Sequence, residues 1–170
     1  MITRRDVLWA GAALFLLPPA RAAASYAVPV TVLEEPFQVL AVVHRDLFPG
    51  GRGAPSPHFL SALDYLGGVF RDPYVDDEEK AFLKNGAGWL NAQARNDFGK
   101  AYYRLDDAER QRVLRSVSET AWGGEWLWTV FSYLFEALLC DPVYGANTEE
   151  AGWHWLGFVP GYPRPAKPFI

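Results

Sequence analysis

The 170-residue sequence carries 16 Lys and Arg against 20 Asp and Glu, for a net charge of −4, and is 50% hydrophobic and 21% charged. That balance is ordinary for a globular domain and excludes a disordered or collagen-like chain. An acidic chain with no long Lys/Arg cluster lacks the electrostatic footprint of a nucleic-acid binder, and one cysteine cannot build a disulfide framework. Aromatic residues make up 15% of the sequence, more than a core of this size requires, which leaves rings to face a partner.

Residues 1–24 have the grammar of an export signal: Thr3-Arg4-Arg5-Asp6, an apolar run from Val7 to Leu17, Pro18-Pro19, then a small-residue stretch ending Ala22-Ala23-Ala24. The apolar run spans about 16 Å as a helix, too short for the roughly 20 residues that cross a bilayer, so no membrane span is expected after cleavage. Arg4 and Arg5, preceded by Thr3 and followed by Val7-Leu8, resemble the twin-arginine class, which is read by the Tat translocase and carries folded cargo. An ordinary secretory signal, in which the two charges only set orientation, is the competing reading. Cleavage fits after Ala22 or after Ala24. Either removes Arg4, Arg5, Arg21 and Asp6, leaving 13 basic and 19 acidic residues and a net charge of −6. Residues 25–170 then form one exported helical domain, its C-terminal arm starting near 141.

Helical periodicity dominates the chain beyond the signal. Phe37, Leu40, Val43 and Leu47 step by three or four until Pro49-Gly50-Gly51 stops the run, predicting a helix over 35–48. Ser56-Pro57 is an N-cap with a first-turn proline, and Phe59, Leu63, Leu66 and Phe70 continue a second helix to about 70. Asp76 and Glu79 have capping-box spacing ahead of a third helix over 77–96, and Asp106 and Glu109 repeat it ahead of a fourth. The fourth puts Val113, Leu114 and Val117 inside and Arg110, Arg112 and Arg115 on its polar side.

From Gly124 to Cys140 the chain is apolar nearly all round, which predicts a buried helix. Its only polar stripe is Glu125, Thr129, Ser132 and Glu136, expected to face water or to be satisfied by hydrogen bonds. Asp141-Pro142 ends it, Thr148 can cap a short turn through Glu149-Glu150, and Pro160, Pro163, Pro165 and Pro168 forbid regular helix beyond. The fold expected is all-α: a compact bundle of about five helices around the aromatic-rich one, with an extended Pro-rich C-terminal tail.

No catalytic pattern survives inspection. His44-Arg45-Asp46-Leu47 and Asp97-Phe98-Gly99 look like two protein-kinase signatures, but Gly51 stands where the catalytic loop needs Asn, and the phosphate loop and strand lysine are missing. His44 and Asp46 read instead as last-turn residues, the histidine favoured there by the helix dipole. His58, His154 and Cys140 have no metal-ligand or nucleophile spacing, and Gly50, Gly51 and Gly53 follow a helix and read as a turn. In an oxidising compartment the unpaired Cys140 suggests a bond to another chain; a buried inert thiol is the alternative.

The most specific text is Asp141-Pro142-Val143-Tyr144-Gly145-Ala146-Asn147, then Gly152-Trp153 and Gly157-Phe158-Val159-Pro160-Gly161. With Leu47-Phe48-Pro49 and Tyr102-Tyr103-Arg104-Leu105-Asp106 it resembles the gluconate 2-dehydrogenase subunit 3 family over about residues 35–161. Ala146 stands where that family commonly has a second glycine, which makes a left-handed backbone costlier there, and Val159 is an insertion that shifts the tail's register.

The resemblance implies a small, cofactor-free subunit with no catalytic or metal-binding residues of its own, periplasmic, in a membrane-associated sugar or sugar-acid dehydrogenase. The chemistry then lies in a large FAD-containing subunit of the glucose-methanol-choline type, with a multihaem cytochrome c, carrying haem c, as electron acceptor. The small subunit supplies the export signal and helps the large one mature. Tyr144, Trp153, Trp155 and Phe158 are the expected anchors on the large subunit, with Cys140 beside them; pinning the tail onto this chain's own core is the other role open to these rings. Two further readings compete with a permanent subunit. One is an independent periplasmic enzyme using Glu125, Glu136 and His154, although two carboxylates eleven residues apart on one helix sit about 16 Å apart. The other is an assembly chaperone that leaves after maturation.

Overall fold

The computed structural model of the protein describes residues 33–50, 54 and 59–168. The export signal with Arg4 and Arg5, its cleavage sites, the Ser56-Pro57 cap and His58 lie outside the described residues. Six α-helices follow in order: α1 Phe37–Leu47, α2 Phe59–Arg71, α3 Asp77–Phe98, α4 Asp107–Ser118, α5 Ala121–Leu139 and the short α6 Ala151–Leu156. Three 3-10 turns, Tyr102–Arg104, Pro142–Tyr144 and Thr148–Glu150, join them, and no strand element occurs among the described residues. The expected all-α bundle is therefore the one formed, and α5 is its axis, in contact with α1, α2, α3 and α4.

Local chemistry sets the helix boundaries. Asp76 accepts from the Glu78 backbone N–H at 2.8 Å and opens α3, which ends where Gly99 turns left-handed at φ 67°. Asp106 and Glu109 form a reciprocal capping box, with the Asp106 side chain on the Glu109 N–H at 2.8 Å and the Glu109 side chain on the Asp106 N–H at 3.0 Å. The Thr120 hydroxyl accepts from the Gly123 N–H at 3.0 Å, so α5 begins three residues before the predicted Gly124. At the other end of that helix, Asp141 caps the turn through Pro142 by accepting from the Val143 N–H at 3.0 Å.

The main core joins Leu40 and Val43 of α1, Leu66 of α2, Leu83 and Leu90 of α3, Val113 of α4 and Trp126 of α5, all without solvent contact. Trp126 packs between α5 and α3. Its indole N–H donates to the Leu83 carbonyl at 3.0 Å, and a Cβ on Gly86 would sit 2.1 Å from its ring. A smaller apolar cluster of Ala62, Leu134, Ala137, Leu138 and Ala146 attaches the C-terminal segment to α2 and α5.

Three expectations are corrected. Arg110 is not on the polar side of α4 with Arg112 and Arg115: it is 4% exposed, because it finds a carboxylate on α1. His44 does not serve the α1 dipole as a cation: it is fully buried, neither ring nitrogen has a hydrogen-bond partner, and burial lowers its pKa to about 4, so the ring is neutral. Helix α5 is not buried on every face: Trp128 is 51% exposed and Phe131 and Phe135 are partly exposed. The polar stripe beside those rings behaves as expected, with Glu125 and Glu136 exposed and the Thr129 hydroxyl donating to the Glu125 carbonyl at 3.0 Å.

Candidate partner interface

The C-terminal segment is built on Asn147. Its Nδ2 donates to the Cys140 carbonyl at 2.9 Å, and its Oδ1 accepts from the Gly152 N–H at 2.8 Å, so one buried amide ties the end of α5 to the start of α6. Asn147, Glu149 and Glu150 all adopt left-handed backbone, φ 50°, 57° and 57°, a conformation that costs non-glycine residues about 1–3 kcal/mol each unless the surroundings impose it. Ala146 stays out of that region, so the penalty anticipated for replacing a glycine there does not arise. Gly152 permits the contact itself: a Cβ would lie 1.8 Å from the Leu138 carbonyl oxygen. Thr148 does not act as an N-cap; its hydroxyl lies 2.8 Å from that of Ser61 on α2.

Trp153 occupies the junction. It is 6% exposed, its indole N–H donates to the Leu139 carbonyl at 2.6 Å, and the Arg164 guanidinium lies 4.9 Å from its ring centroid. Arg164 also binds Asp141 through Nε at 3.1 Å and Nη2 at 3.2 Å, and Glu150 through Nη1, folding the proline-rich tail back over α6. The hydrogen bonds from Arg164 hold the Asp141 carboxyl below its ordinary range. Beyond α6 no regular helix forms among the described residues, as the prolines dictate.

The five residues singled out from the sequence therefore occupy different environments. Trp153 is committed to this chain's own fold. Tyr144 and Cys140 are half-buried at the end of α5, and burial pushes the Cys140 thiol up to about 11. Trp155 and Phe158 are 36% and 53% exposed and can be touched from outside.

Trp155 does not stand alone. Its ring lies 5.3 Å from that of Phe48 at the end of α1, Phe48 lies 6.0 Å from Phe135, Phe135 lies 4.5 Å from Phe131, and Phe131 lies 6.3 Å from Trp128. Five rings thus run in file across α5, α1 and α6. Sequence reading missed this surface because it assigned the α5 rings to the core; the signal was present in Trp128, Phe131 and Phe135, spaced three and four residues apart on one face.

A second arrangement that the sequence concealed is largely buried. Arg110 Nε donates to Asp46 Oδ2 at 2.8 Å, the Tyr102 hydroxyl donates to the same oxygen at 2.7 Å, and Arg110 Nη1 donates to the Leu105 carbonyl at 2.6 Å. Burial pushes the Asp46 carboxyl up, while the guanidinium and the phenol pull it back. Asn91 extends the network, its Oδ1 accepting from the Tyr102 N–H at 2.8 Å and its Nδ2 donating to Glu35 at 2.7 Å. These groups are mutually satisfied and join α1, α3, α4 and the Tyr102 turn.

Glu125, Glu136 and His154 all lie at the surface, Glu136 accepting from the Tyr65 hydroxyl at 3.1 Å. An open groove of about 640 Å³ is lined by Arg45, Tyr103, Asp106 and Arg110, and a cavity of about 400 Å³ by Leu33, Phe37, Leu63 and Arg71. Neither includes that trio. Among the described residues no group of three or more His, Cys, Asp or Glu side chains is placed to hold a metal ion, and no helix is long and apolar enough to cross a membrane.

The family model described as gluconate 2-dehydrogenase subunit 3 fits residues 34–161, well over half of the sequence. No curated protein and no solved structure matches.

Proposed function

Because the chain belongs to the gluconate 2-dehydrogenase subunit 3 family, we propose that it is the non-catalytic small subunit of a periplasmic, flavin-dependent sugar or sugar-acid dehydrogenase. The large partner, of the glucose-methanol-choline type, binds FAD and oxidises the substrate; a multihaem cytochrome c accepts the electrons. The small subunit brings the twin-arginine signal, with Arg4 and Arg5 as the pair read by the Tat translocase, and supports folding of the large one before both cross the inner membrane. Family membership over residues 34–161 carries this reading. The exposed rings of Trp155 and Phe158 support it, since aromatic side chains bury much area at low rotamer cost.

Cys140 belongs to the same reading. It lies half-buried at the end of α5, and in an oxidising compartment it bonds a cysteine of the large subunit. Non-reducing electrophoresis of the native complex then gives a heavier band that collapses on reduction and is missing in Cys140→Ser.

Removal of residues 1–24 tests the main proposal. Both this protein and its flavoprotein should remain in the cytoplasm, and lysine at both Arg4 and Arg5 should have the same effect. A flavoprotein that still reaches the periplasm at normal levels would sink the export role.

A further inference from the structure

The file of rings from Trp128 to Trp155 is a continuous run of aromatic contacts with Trp128 and Trp155 exposed and Phe131, Phe135 and Phe48 partly exposed between them. Scattered exposed rings need no explanation, but a connected patch of this kind marks a contact surface. It has a distinct electrostatic edge. On α5 the neighbouring stripe carries Glu125 and Glu136, and past it lies Glu79 of α3, which accepts from the Tyr133 hydroxyl at 2.9 Å. No ion pair among the described residues neutralises Glu79, Glu125 or Glu136. Burial and then the carboxylates around them push the phenols of Tyr65 and Tyr133 upward: Glu136 and Asp72 act on the first, Glu79 and Glu136 on the second. The rings are thus bordered on one side by uncompensated negative charge.

We infer that the ring file of Trp128, Phe131, Phe135, Phe48 and Trp155 is the seat of the large flavoprotein subunit, whose matching face is an apolar patch edged by Lys or Arg. This rests on the subunit reading proposed above and specifies where and by what chemistry the partner is gripped. Charge complementarity selects the occupant. An anionic lipid surface would be repelled by the carboxylate edge, and a second copy of this chain would set one acidic edge against another, whereas a basic rim on a different protein is attracted and oriented by it. Trp155 links the surface to the C-terminal segment, so the tail is the far end of the same contact and α5 its centre.

The test uses the full-length tagged protein expressed with its native flavoprotein, scored by flavin absorbance recovered per tagged chain and by the mass of the recovered subunit. Trp128→Ser, at a half-exposed position, should lower recovery about tenfold or more, as for an interface tryptophan, with an unchanged helical circular dichroism spectrum. Glu125→Lys should lower recovery less and weaken its dependence on salt. Trp89→Ser, in the separate ring cluster with Trp122 and Phe82, should leave recovery unchanged.

Full recovery with Trp128→Ser overturns the inference, as does loss with Trp89→Ser instead. It is equally overturned if Trp128→Ser abolishes self-association of the free chain, or its binding to anionic phospholipid vesicles, while flavin recovery stays intact. If the unsubstituted protein recovers no flavoprotein at all, the subunit reading itself fails.

Discussion

Asp46 in the last turn of α1 and Arg110 in the first turn of α4 are 64 residues apart and meet at 2.8 Å, with side chains only 7% and 5% exposed. Removing one partner leaves the other charge buried without compensation, which typically costs about 3–5 kcal/mol. Asp46→Asn and Arg110→Met should each lose stability on that scale in urea unfolding. The double variant should lose less than the sum of the two, with a coupling of about 1–3 kcal/mol. Additive losses would mean that the pair is geometrically close but energetically independent.

His44 makes stability depend on pH in a definite direction. Its pKa in the fold is about 4, against about 6.5 in an unfolded chain, so between those values the unfolded state binds more protons. The stability contributed by the neutral buried ring is complete above about pH 6.5 and is lost as pH falls toward 4. From pH 7 to pH 5 the loss from this residue amounts to about 2 kcal/mol. His44→Leu should remove that part of the pH dependence, and at pH 7 it should not destabilise, since it eliminates two buried nitrogens that have no partner. Urea midpoints of the two proteins at pH 7 and pH 5 decide the matter.

Gly86→Ala sets helix propensity against packing. In an exposed helix the change would stabilise by about 1 kcal/mol. Here the added methyl would meet the Trp126 ring at 2.1 Å, and that ring is fully buried and anchored by its bond to the Leu83 carbonyl. Overpacking of this kind costs about 1–3 kcal/mol, so net destabilisation is expected, accompanied by a shift in tryptophan fluorescence. Gly88, further along the same helix with no atom within 4 Å of where a Cβ would lie, is the matched control, and Gly88→Ala should stabilise.

What could be read in the sequence is what local chemistry determines. Asp76, Asp106 and Asp141 cap their neighbours within three residues, so the starts of α3 and α4 and the turn after α5 are visible from spacing alone. Arg110 was invisible because burying a guanidinium requires Asp46, and nothing in residues 106–118 announces a partner on the first helix. The ring file was obscured for a related reason: an apolar helix such as α5 does not record which of its faces its own bundle fills and which it leaves outside. Pattern alone identified the rings of the C-terminal segment, but not that Trp153 would be taken inward by the Leu139 carbonyl and Arg164 while Phe158 stayed exposed.

That division of labour within the segment is itself testable. Gly152→Ala would place a methyl against the Leu138 carbonyl, where a Cβ would lie at 1.8 Å, and would break the approach that lets Asn147 hold the Gly152 N–H at 2.8 Å. The segment from Asp141 onward should detach while the helices before it stay folded, because their shared core does not depend on α6. Limited proteolysis should then cut between about residues 141 and 160 in the variant and spare the parent, with little change in the urea midpoint. Arg164→Ala should produce a weaker version of the same effect that disappears at high salt, since its hold on Asp141 and Glu150 is partly exposed and screened. If Gly152→Ala instead lowers the urea midpoint of the whole protein, the segment and the bundle fold as one cooperative unit.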